Sequence, residues 1–184
     1  MKGMMFSLLE EVVGHLGDDA WDRMLEGAGL EGAYTSLGNY PDEEFTRLVA
    51  ILARRIGESE RDALAWFGQR GIPVLAVRYP EFFNAHRSLR PFLLSLNDVI
   101  HAEVRKLYPG ADVPVFQFET PAEEPDRLLI RYRSKRRLCP LAEGFIAGAA
   151  DHFRERVAIT QPECMLAGAA ECTLVCRFEG RSDP

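Results

Sequence analysis

Apolar residues in the first part of the chain recur every three or four positions, which places them on one face of a helix. In the first such segment they are Phe6, Leu8, Leu9, Val12, Val13 and Leu16. Asp18-Asp19 can cap a second helix that ends at Gly27 or Gly29. Pro41 and the acids after it open a third helix. The pattern therefore predicts a helical amino-terminal region.

Two further helices are predicted before Pro109. One runs from Glu58 to Gln69 and is expected to stop at Gly71 and Pro73, because glycine and proline both disfavour a helix interior. The other runs from Pro91 to Leu107 and has the strongest helical pattern in the chain. It carries His101 near its middle.

After Pro109 the apolar pattern changes from helical spacing to alternation. Residues 115–120 and 128–133 alternate as strands do, and the turn formers between them predict a hairpin. Residues 139–153 predict a helix in which Gly144 and Gly148 allow close approach of another element. Further strands are expected at residues 157–160 and 173–178.

These elements predict an α+β fold in a single domain that spans residues 1–184. We expect a helical amino-terminal lobe at residues 1–62, packed on a second lobe with an antiparallel sheet and helices at residues 63–184. The 184 residues are enough for two small lobes that share a core.

Composition and charge exclude several classes of protein. Apolar residues make up 47% and charged residues 27%, as in globular proteins, and the net charge of −6 argues against nucleic acid as a partner. No apolar run approaches the roughly 20 residues that a membrane-spanning helix needs. The first residues lack the pattern of a signal peptide, so we expect a cytoplasmic protein whose thiols stay reduced.

A basic segment stands out in this acidic chain. Tyr132, Ser134 and Arg136 alternate, so on a strand they would present a phenol, a hydroxyl and a guanidinium on one face. A guanidinium binds carboxylates and phosphates with two parallel hydrogen bonds. The segment therefore suits a small, doubly acidic ligand, although an edge strand with a solvated basic face and a polyanion-binding patch are alternatives.

His101 adds a second kind of chemistry. A single histidine in a helix is more often a surface or core residue than a ligand, but imidazole is a usual axial ligand of haem iron. One imidazole, one carboxylate-binding group and a broad apolar pocket together suit haem, since the iron and its two propionates are held separately.

The chain resembles the haem nitric oxide/oxygen-binding (H-NOX) domains, which include the haem domain of soluble guanylate cyclase and stand-alone bacterial sensors. The resemblance rests on the helix with His101, on Tyr132-Arg-Ser-Lys-Arg136 and on the segment from Cys139 to Ala150. It implies that His101 ligates the iron of haem b and that Tyr132, Ser134 and Arg136 hold the propionates. Pro114 would press on the porphyrin and distort it, although it is also an ordinary proline before a strand.

The resemblance also bears on which gas is bound. In O₂-binding members a tyrosine five residues after the clamp arginine donates a hydrogen bond to O₂, and here that position is Leu141. Nearby family positions that can support such a hydrogen-bond network are Leu9 and Gly71 in this chain. A hydrogen bond from such a donor contributes about 1.5–3 kcal/mol to the binding of O₂, which carries partial negative charge. Without the donor, NO and CO are expected to bind and O₂ is not. We expect the distal wall of the haem pocket to consist of Met5, Leu9, Ile72, Leu75, Leu141 and Phe145. Met5, Leu75 and Phe145 can equally be plain core residues.

Cysteines near the carboxyl end predict a second site. Cys164, Cys172 and Cys176 are spaced as C-x7-C-x3-C, and structural zinc prefers four tetrahedral ligands. Some bacterial H-NOX members bind zinc here with three cysteines and a histidine, but the histidine position is Gln161 in this chain. Cys139 is then the best fourth ligand and His152 the second choice; free thiols and a disulfide-forming redox site are alternatives.

The resemblance implies a sensor with no catalytic turnover. NO binding would break the iron–His101 bond, let the porphyrin relax against Pro114 and rotate the lobes, and so regulate a separate effector. In bacterial relatives the effector is often a histidine kinase or a cyclic-di-GMP enzyme. The alternatives are a thiol or zinc redox sensor and a haem enzyme such as a peroxidase, but His15 and His86 match no pocket position that could supply a distal acid or base.

Overall fold

Helices form the first half of the chain in the computed structural model, which describes residues 1–181. Residues 182–184, the end of the predicted single domain, lie outside the described part. The helices are α1 (Gly3–Gly14), α2 (Ala20–Ala28), α3 (Asp42–Ile56), α4 (Glu60–Arg78), α5 (Pro80–Asn84), α6 (Leu89–Leu94) and α7 (His101–Leu107). A π-helical segment, Leu96–Ile100, joins α6 to α7.

A four-stranded antiparallel sheet and one long helix form the second half. The elements are β1 (Val115–Glu119), β2 (Arg127–Arg133), α8 (Cys139–Phe153), β3 (Glu155–Glu163), a 3₁₀ turn (Met165–Ala167) and β4 (Cys172–Arg181). The strands lie in the order β1-β2-β4-β3, and each neighbouring pair is antiparallel. The predicted α+β fold and the hairpin of β1 and β2 are confirmed.

The core has two clusters of buried side chains. The first joins α1 to α4 and includes Phe6, Phe45 and Phe67, all fully buried or nearly so. The second lies between the sheet and α8 and includes Leu128, Ile130 and Ile146. Helix α4 spans the expected boundary at residue 62 and contributes Phe67 to the first cluster and Ile72 to the second, so it belongs to both halves.

Helices α4 and α8 pack with their backbones in close contact because glycines line the interface. A Cβ atom added to Gly144 would lie 2.1 Å from the carbonyl oxygen of Ala65, and one added to Gly148 would lie 2.4 Å from that of Gln69. Neither position accepts a side chain without moving backbone. The predicted close approach at Gly144 and Gly148 is confirmed.

The predicted end of α4 at Gly71 and Pro73 is wrong, because the helix continues to Arg78. Proline removes the amide that would bond the carbonyl of Gln69, and this carbonyl faces Gly148 instead. Gly71 lies against Leu8 and Phe145, where a larger residue would be crowded. Packing against α1 and α8 therefore outweighs the weak helix preference of these two residues.

The helix predicted from Pro91 to Leu107 is not one uniform α-helix. It changes to a π-helix over Leu96–Ile100, directly before His101. Short π-helical segments often occur at functional sites. In the described residues 1–181, no helix is long and apolar enough to cross a bilayer.

Candidate functional site

A cavity of about 290 Å³ lies between the two core clusters. Its size is at the lower end of small-molecule pockets, which span roughly 300–1,000 Å³. Apolar side chains of α1, α4 and α8 form much of its wall. The residues of the predicted site that line it are Met5, Ile72, Leu75, His101, Pro114, Tyr132, Ser134, Arg136, Leu141 and Phe145.

His101 begins α7 and faces this cavity. Burial, with a smaller effect of the positive charge of Arg105, lowers the pKa of His101 to about 4, so the imidazole is neutral at pH 7. Its Nδ1 atom is buried and has no hydrogen-bond partner among residues 1–181. The ring stacks on Phe116, with centroids 5.6 Å apart. A neutral, buried imidazole at a cavity wall is suited to bind a metal ion.

Tyr132, Ser134 and Arg136 meet at the cavity, but not as residues of one strand. Strand β2 ends at Arg133, so only Tyr132 lies on it. The chain then turns, with the amide of Arg137 donating to the carbonyl of Ser134 at 3.1 Å and Arg137 at a positive φ of 52°. The predicted alternation on a strand is wrong; the turn brings the three side chains together.

The polar groups of this cluster are held in place by neighbours. The hydroxyl oxygen of Ser134 accepts a hydrogen bond from the backbone amide of Arg136 at 3.3 Å. Nε of Arg136 lies 2.8 Å from a carboxylate oxygen of Asp42, and one of its terminal nitrogens donates to the carbonyl of Asp112 at 2.8 Å. Burial raises the pKa of Tyr132 to about 12, so its phenol keeps its proton at pH 7.

The family model described as Haem-NO-binding matches residues 2–161. The chain belongs to this family, the H-NOX domains. H-NOX domains are haem-binding sensor modules rather than enzymes. No protein of curated function matches the chain significantly.

Solved H-NOX structures share the fold over nearly the whole chain. An H-NOX protein from S. oneidensis in the Fe(II)NO state is 32% identical with a TM-score of 0.89, and the match covers 98% of this chain and 100% of that one. An H-NOX domain from Shewanella oneidensis in the Fe(II)CO state is 32% identical with a TM-score of 0.87, and the match covers 97% of this chain and 99% of that one. The unliganded Fe(II) H-NOX protein from K. algicida is 27% identical with a TM-score of 0.83, and the match covers 98% of each chain.

The residues at the cavity of this H-NOX domain fit haem. The buried Nδ1 of His101 without a partner belongs to a neutral imidazole, the state that binds iron. Most of the cavity wall is apolar, as a porphyrin requires. Arg136 and Ser134 at the same cavity supply donors for carboxylates.

Leu9 was expected in the distal wall, but the structure places it elsewhere. It is fully buried in the first core cluster and is not among the residues that line the cavity. Leu9 lies one turn further along α1 than Met5, about 6 Å away along the helix axis. Met5 therefore reaches the cavity, whereas Leu9 packs in the core of the helices.

Several residues that line this H-NOX cavity were not predicted from the sequence, and three of them carry aromatic side chains near the proposed site. Tyr79 and Tyr108 both line it, and their hydroxyl groups contact each other. Burial and this contact raise the pKa of Tyr79 to about 12. Phe116 also lines the cavity and stacks on His101. Alternation predicted a strand at residues 115–120, but no sequence signal placed Phe116 beside His101.

Three of the four cysteines form a cluster beside the sheet. The sulfur atoms of Cys139, Cys164 and Cys172 all lie within 4.8 Å of one another, with Cys139 and Cys164 at 3.7 Å. Burial of Cys164 alone would raise its pKa, but backbone amides of the 3₁₀ turn outweigh this and lower it. Burial raises the pKa of Cys139.

Cys176 and His152 lie apart from this cluster, which corrects the predicted ligand set. Cys172 and Cys176 are both on β4, and four residues of a strand span about 13 Å. Two thiols at that spacing cannot share one ion. His152 instead packs its ring edge-on against Phe83 and Phe153.

Proposed function

We propose that this chain is a haem-based sensor that binds NO and CO, but not O₂, at a five-coordinate ferrous haem b. The observation that carries the proposal is the neutral, buried His101 at the wall of an apolar cavity, with Tyr132, Ser134 and Arg136 at the same cavity. Membership of the Haem-NO-binding family and the likeness to S. oneidensis H-NOX in its Fe(II)NO and Fe(II)CO states support it.

The residues would divide the work of holding haem. His101 would ligate the iron, and Tyr132, Ser134 and Arg136 would donate hydrogen bonds to the propionates. Pro114, which lies just before β1 and lines the cavity, would contact the porphyrin on the side of His101. When bound, haem would supply an iron that binds diatomic gases and that can release a protein ligand in the presence of NO.

Exclusion of O₂ follows from the apolar wall. Met5, Ile72 and Leu141 line the cavity and offer no hydrogen-bond donor from their side chains. Bound O₂ carries partial negative charge, and a hydrogen bond to a charged group contributes about 1.5–3 kcal/mol. Tyr79 and Tyr108 carry hydroxyls into the cavity wall, but these hydroxyls contact each other.

His101 would carry the signal, because it belongs to a segment that also changes helix type. Release of its imidazole from the iron would free α7 and shift the amino-terminal lobe, residues 1–62, against residues 63–184. The shift would regulate a separate effector, a histidine kinase or a cyclic-di-GMP enzyme, in the cytoplasm. The size of the response is bounded by the difference in NO affinity between the two conformations.

The visible absorption spectrum tests this function. The ferrous protein should show a Soret band that shifts with NO and with CO and does not change on first mixing with air-saturated buffer. Tyr79→Phe is the matched control, since it removes a cavity hydroxyl and should leave the rejection of O₂ unchanged. A spectrum that shifts immediately in air would contradict the selectivity.

The cysteine cluster supports a second candidate function, a thiol or zinc redox sensor. Zinc prefers four ligands, and the described residues gather only Cys139, Cys164 and Cys172. Gln161, whose side chain lies next to Cys139, is a poor fourth ligand, so a closed structural zinc site fits incompletely. Without zinc, Cys139 and Cys164 would lose two electrons and two protons to a peroxide and form a disulfide.

Metal analysis and thiol counting separate these states. Purified protein that holds one zinc per chain, and loses it in Cys139→Ala but not in Cys176→Ala, would support the zinc site. Protein without zinc that loses two free thiols on peroxide treatment would support the redox site.

A further inference from the structure

Asn97 binds both backbone groups of one residue in a distant strand. Its side-chain nitrogen donates to the carbonyl of Phe116 at 2.5 Å, and its side-chain oxygen accepts from the amide of Phe116 at 3.3 Å. Asn97 lies in the π-helical segment Leu96–Ile100, directly before His101, and Phe116 lies in β1. The primary amide therefore joins the two elements with a pair of hydrogen bonds.

Strand geometry explains why the backbone amide and carbonyl of Phe116 are free to bond the side chain of Asn97. Strand β1 is at the edge of the sheet, so every second residue turns its amide and carbonyl away from β2. Phe116 is opposite Tyr132 and is such a residue. An unpaired edge of this kind is usually covered or blocked. Here Asn97 covers it at one position, where no other strand is present.

Phe116 in turn contacts two residues of the proposed haem site. Its ring stacks on the imidazole of His101, with centroids 5.6 Å apart and planes at 27°. It also lies 5.6 Å from the ring of Tyr132. The pair Asn97–Phe116 therefore connects the segment that carries the imidazole with the strand that carries the clamp phenol.

The helix type adds a reason for this arrangement. In a π-helix the backbone hydrogen bonds join residues five positions apart, rather than four as in an α-helix. Such segments occur mostly as single turns inside α-helices and are frequent at functional sites. The segment from Leu96 to Ile100 has no buried residues of its own. Leu96 and Ile100 of this segment pack, partly buried, against the second core cluster. The two hydrogen bonds of Asn97 add a polar attachment of the segment to β1.

We infer that Asn97 is a positioning residue for His101: its amide anchors the π-helical segment to Phe116 and thereby fixes the imidazole relative to the propionate clamp. This inference rests on the proposed haem function. Because the imidazole is fixed before haem binds, less conformational freedom is lost when the iron bond forms. The same two hydrogen bonds would oppose movement of His101 away from the clamp when NO is bound.

Three variants test the inference. Asn97→Ala removes both hydrogen bonds, and Asn97→Asp keeps the acceptor for the Phe116 amide but loses the donor to its carbonyl. Asn84→Ala is the matched control, because Asn84 is exposed at the end of α5. The first measurement is amide hydrogen exchange in the haem-free protein, so it does not depend on haem function. Exchange at Phe116 should accelerate about tenfold or more in Asn97→Ala and change much less in Asn97→Asp and Asn84→Ala.

The second measurement is the iron–histidine stretching band of the ferrous protein, with the rate of haem loss. Asn97→Ala should broaden the band or shift it to lower frequency, speed haem loss about tenfold and raise the five-coordinate fraction of the NO complex. Asn97→Asp should fall between this variant and the wild type. Asn84→Ala should match the wild type in every respect.

Two results would overturn the inference. One is unchanged exchange at Phe116 in Asn97→Ala, which would mean that the amide does not protect the edge strand. The other is a variant of lower thermal stability whose iron–histidine band and haem loss match the wild type, which would make Asn97 merely structural. If Asn97→Ala does not fold, the iron–histidine band and the rate of haem loss of Asn97→Asp decide, and values equal to those of the wild type would overturn the inference. A wild-type protein that binds no haem would instead refute the proposed function, while the exchange result would still report on the tether.

Discussion

Burial decides the charge of the individual polar residues at the cavity. It lowers the pKa of His101 to about 4 and raises the pKa of Tyr132 to about 12, so both are neutral at pH 7. A neutral imidazole can bind iron, and a protonated phenol can donate to a carboxylate. The same desolvation therefore prepares two different residues for two different tasks.

Leu141 is the residue at which we expect the choice of gas to be decided. It is almost fully buried at the cavity wall, so a tyrosine here would bring a donor into an apolar pocket. We expect Leu141→Tyr to raise O₂ affinity about ten- to a hundred-fold, from a hydrogen bond of about 1.5–3 kcal/mol. O₂ titration of the ferrous protein, followed in the visible spectrum, measures this change.

Leu141→Phe is the control, because it adds an aromatic ring without a hydroxyl. It should leave O₂ affinity close to that of the wild type. Equal O₂ affinities of the Tyr and Phe variants would show that a donor at this position does not control the choice of gas.

Single residues were predictable where their chemistry is rare. The imidazole of His101 and the guanidinium of Arg136 were recognisable in the sequence, and both line the cavity. Leu9 and Cys176 were misplaced, because an apolar or small residue fits a core as well as a site. Asn97 gave no signal, since its partner Phe116 is nineteen positions away.

At the scale of elements, contacts between helices override local preferences. Helix α4 continues through Gly71 and Pro73 because it packs closely on α8 and α1. Strand β2 ends at Arg133 as predicted, but a turn with Arg137 at positive φ carries Ser134 and Arg136, where alternation along a strand was expected. For α4 the deciding partners are distant in the sequence, where propensity and period carry no information. After β2 the strand ends in a local turn, in which the amide of Arg137 bonds the carbonyl of Ser134.

The contact of α4 with α8 makes a direct prediction at Gly144. Its Cβ would lie 2.1 Å from the carbonyl oxygen of Ala65, which is backbone and cannot rotate away. We expect Gly144→Ala to lower the free energy of unfolding by about 2–4 kcal/mol, within the range of strong core overpacking. Chemical denaturation of the haem-free protein measures it.

Gly14→Ala provides the matched control. An added Cβ at Gly14 meets nothing within 4 Å, and the residue ends α1 without a positive φ. This variant should be neutral or more stable by up to about 1 kcal/mol, since alanine favours a helix. Similar losses in both variants would show that the close packing at Gly144 is not the cause.

On the scale of the whole molecule, an ion pair connects the helical half of the chain to the proposed propionate clamp. Asp42 begins α3 in the helical half, and its carboxylate lies 2.8 Å from Nε of Arg136 in the other half. Burial alone would raise the pKa of Asp42, but hydrogen bonds from the α-amino group of Met1 and from Arg136 outweigh it and lower the pKa. The pair thus links lobe contact to the group proposed to hold a propionate.

The pH dependence of stability tests this link. Because the pKa of Asp42 is lower in the folded state, its contribution is present above the unfolded pKa of about 3.9 and is lost as the pH falls through the folded value. Asp42 is partly exposed, so Asp42→Asn should cost about 1 kcal/mol at pH 7. The difference from the wild type should shrink below about pH 4, as measured by denaturation at each pH.

Asp19→Asn is the comparison, since Asp19 pairs with Arg23 within a single exposed turn. It should change stability little at any pH. A difference between Asp42→Asn and the wild type that persists unchanged in acid would mean that the charge of Asp42 is not what stabilises the contact.

The central claim is that one imidazole, His101, anchors haem in this chain. The most direct measurement is the visible spectrum of His101→Gly beside that of the wild type, both produced with ample haem supply. The account predicts a coloured wild type and a variant that loses its haem absorbance unless imidazole is added. A colourless wild type, or a variant with the wild-type spectrum in the absence of imidazole, would contradict it.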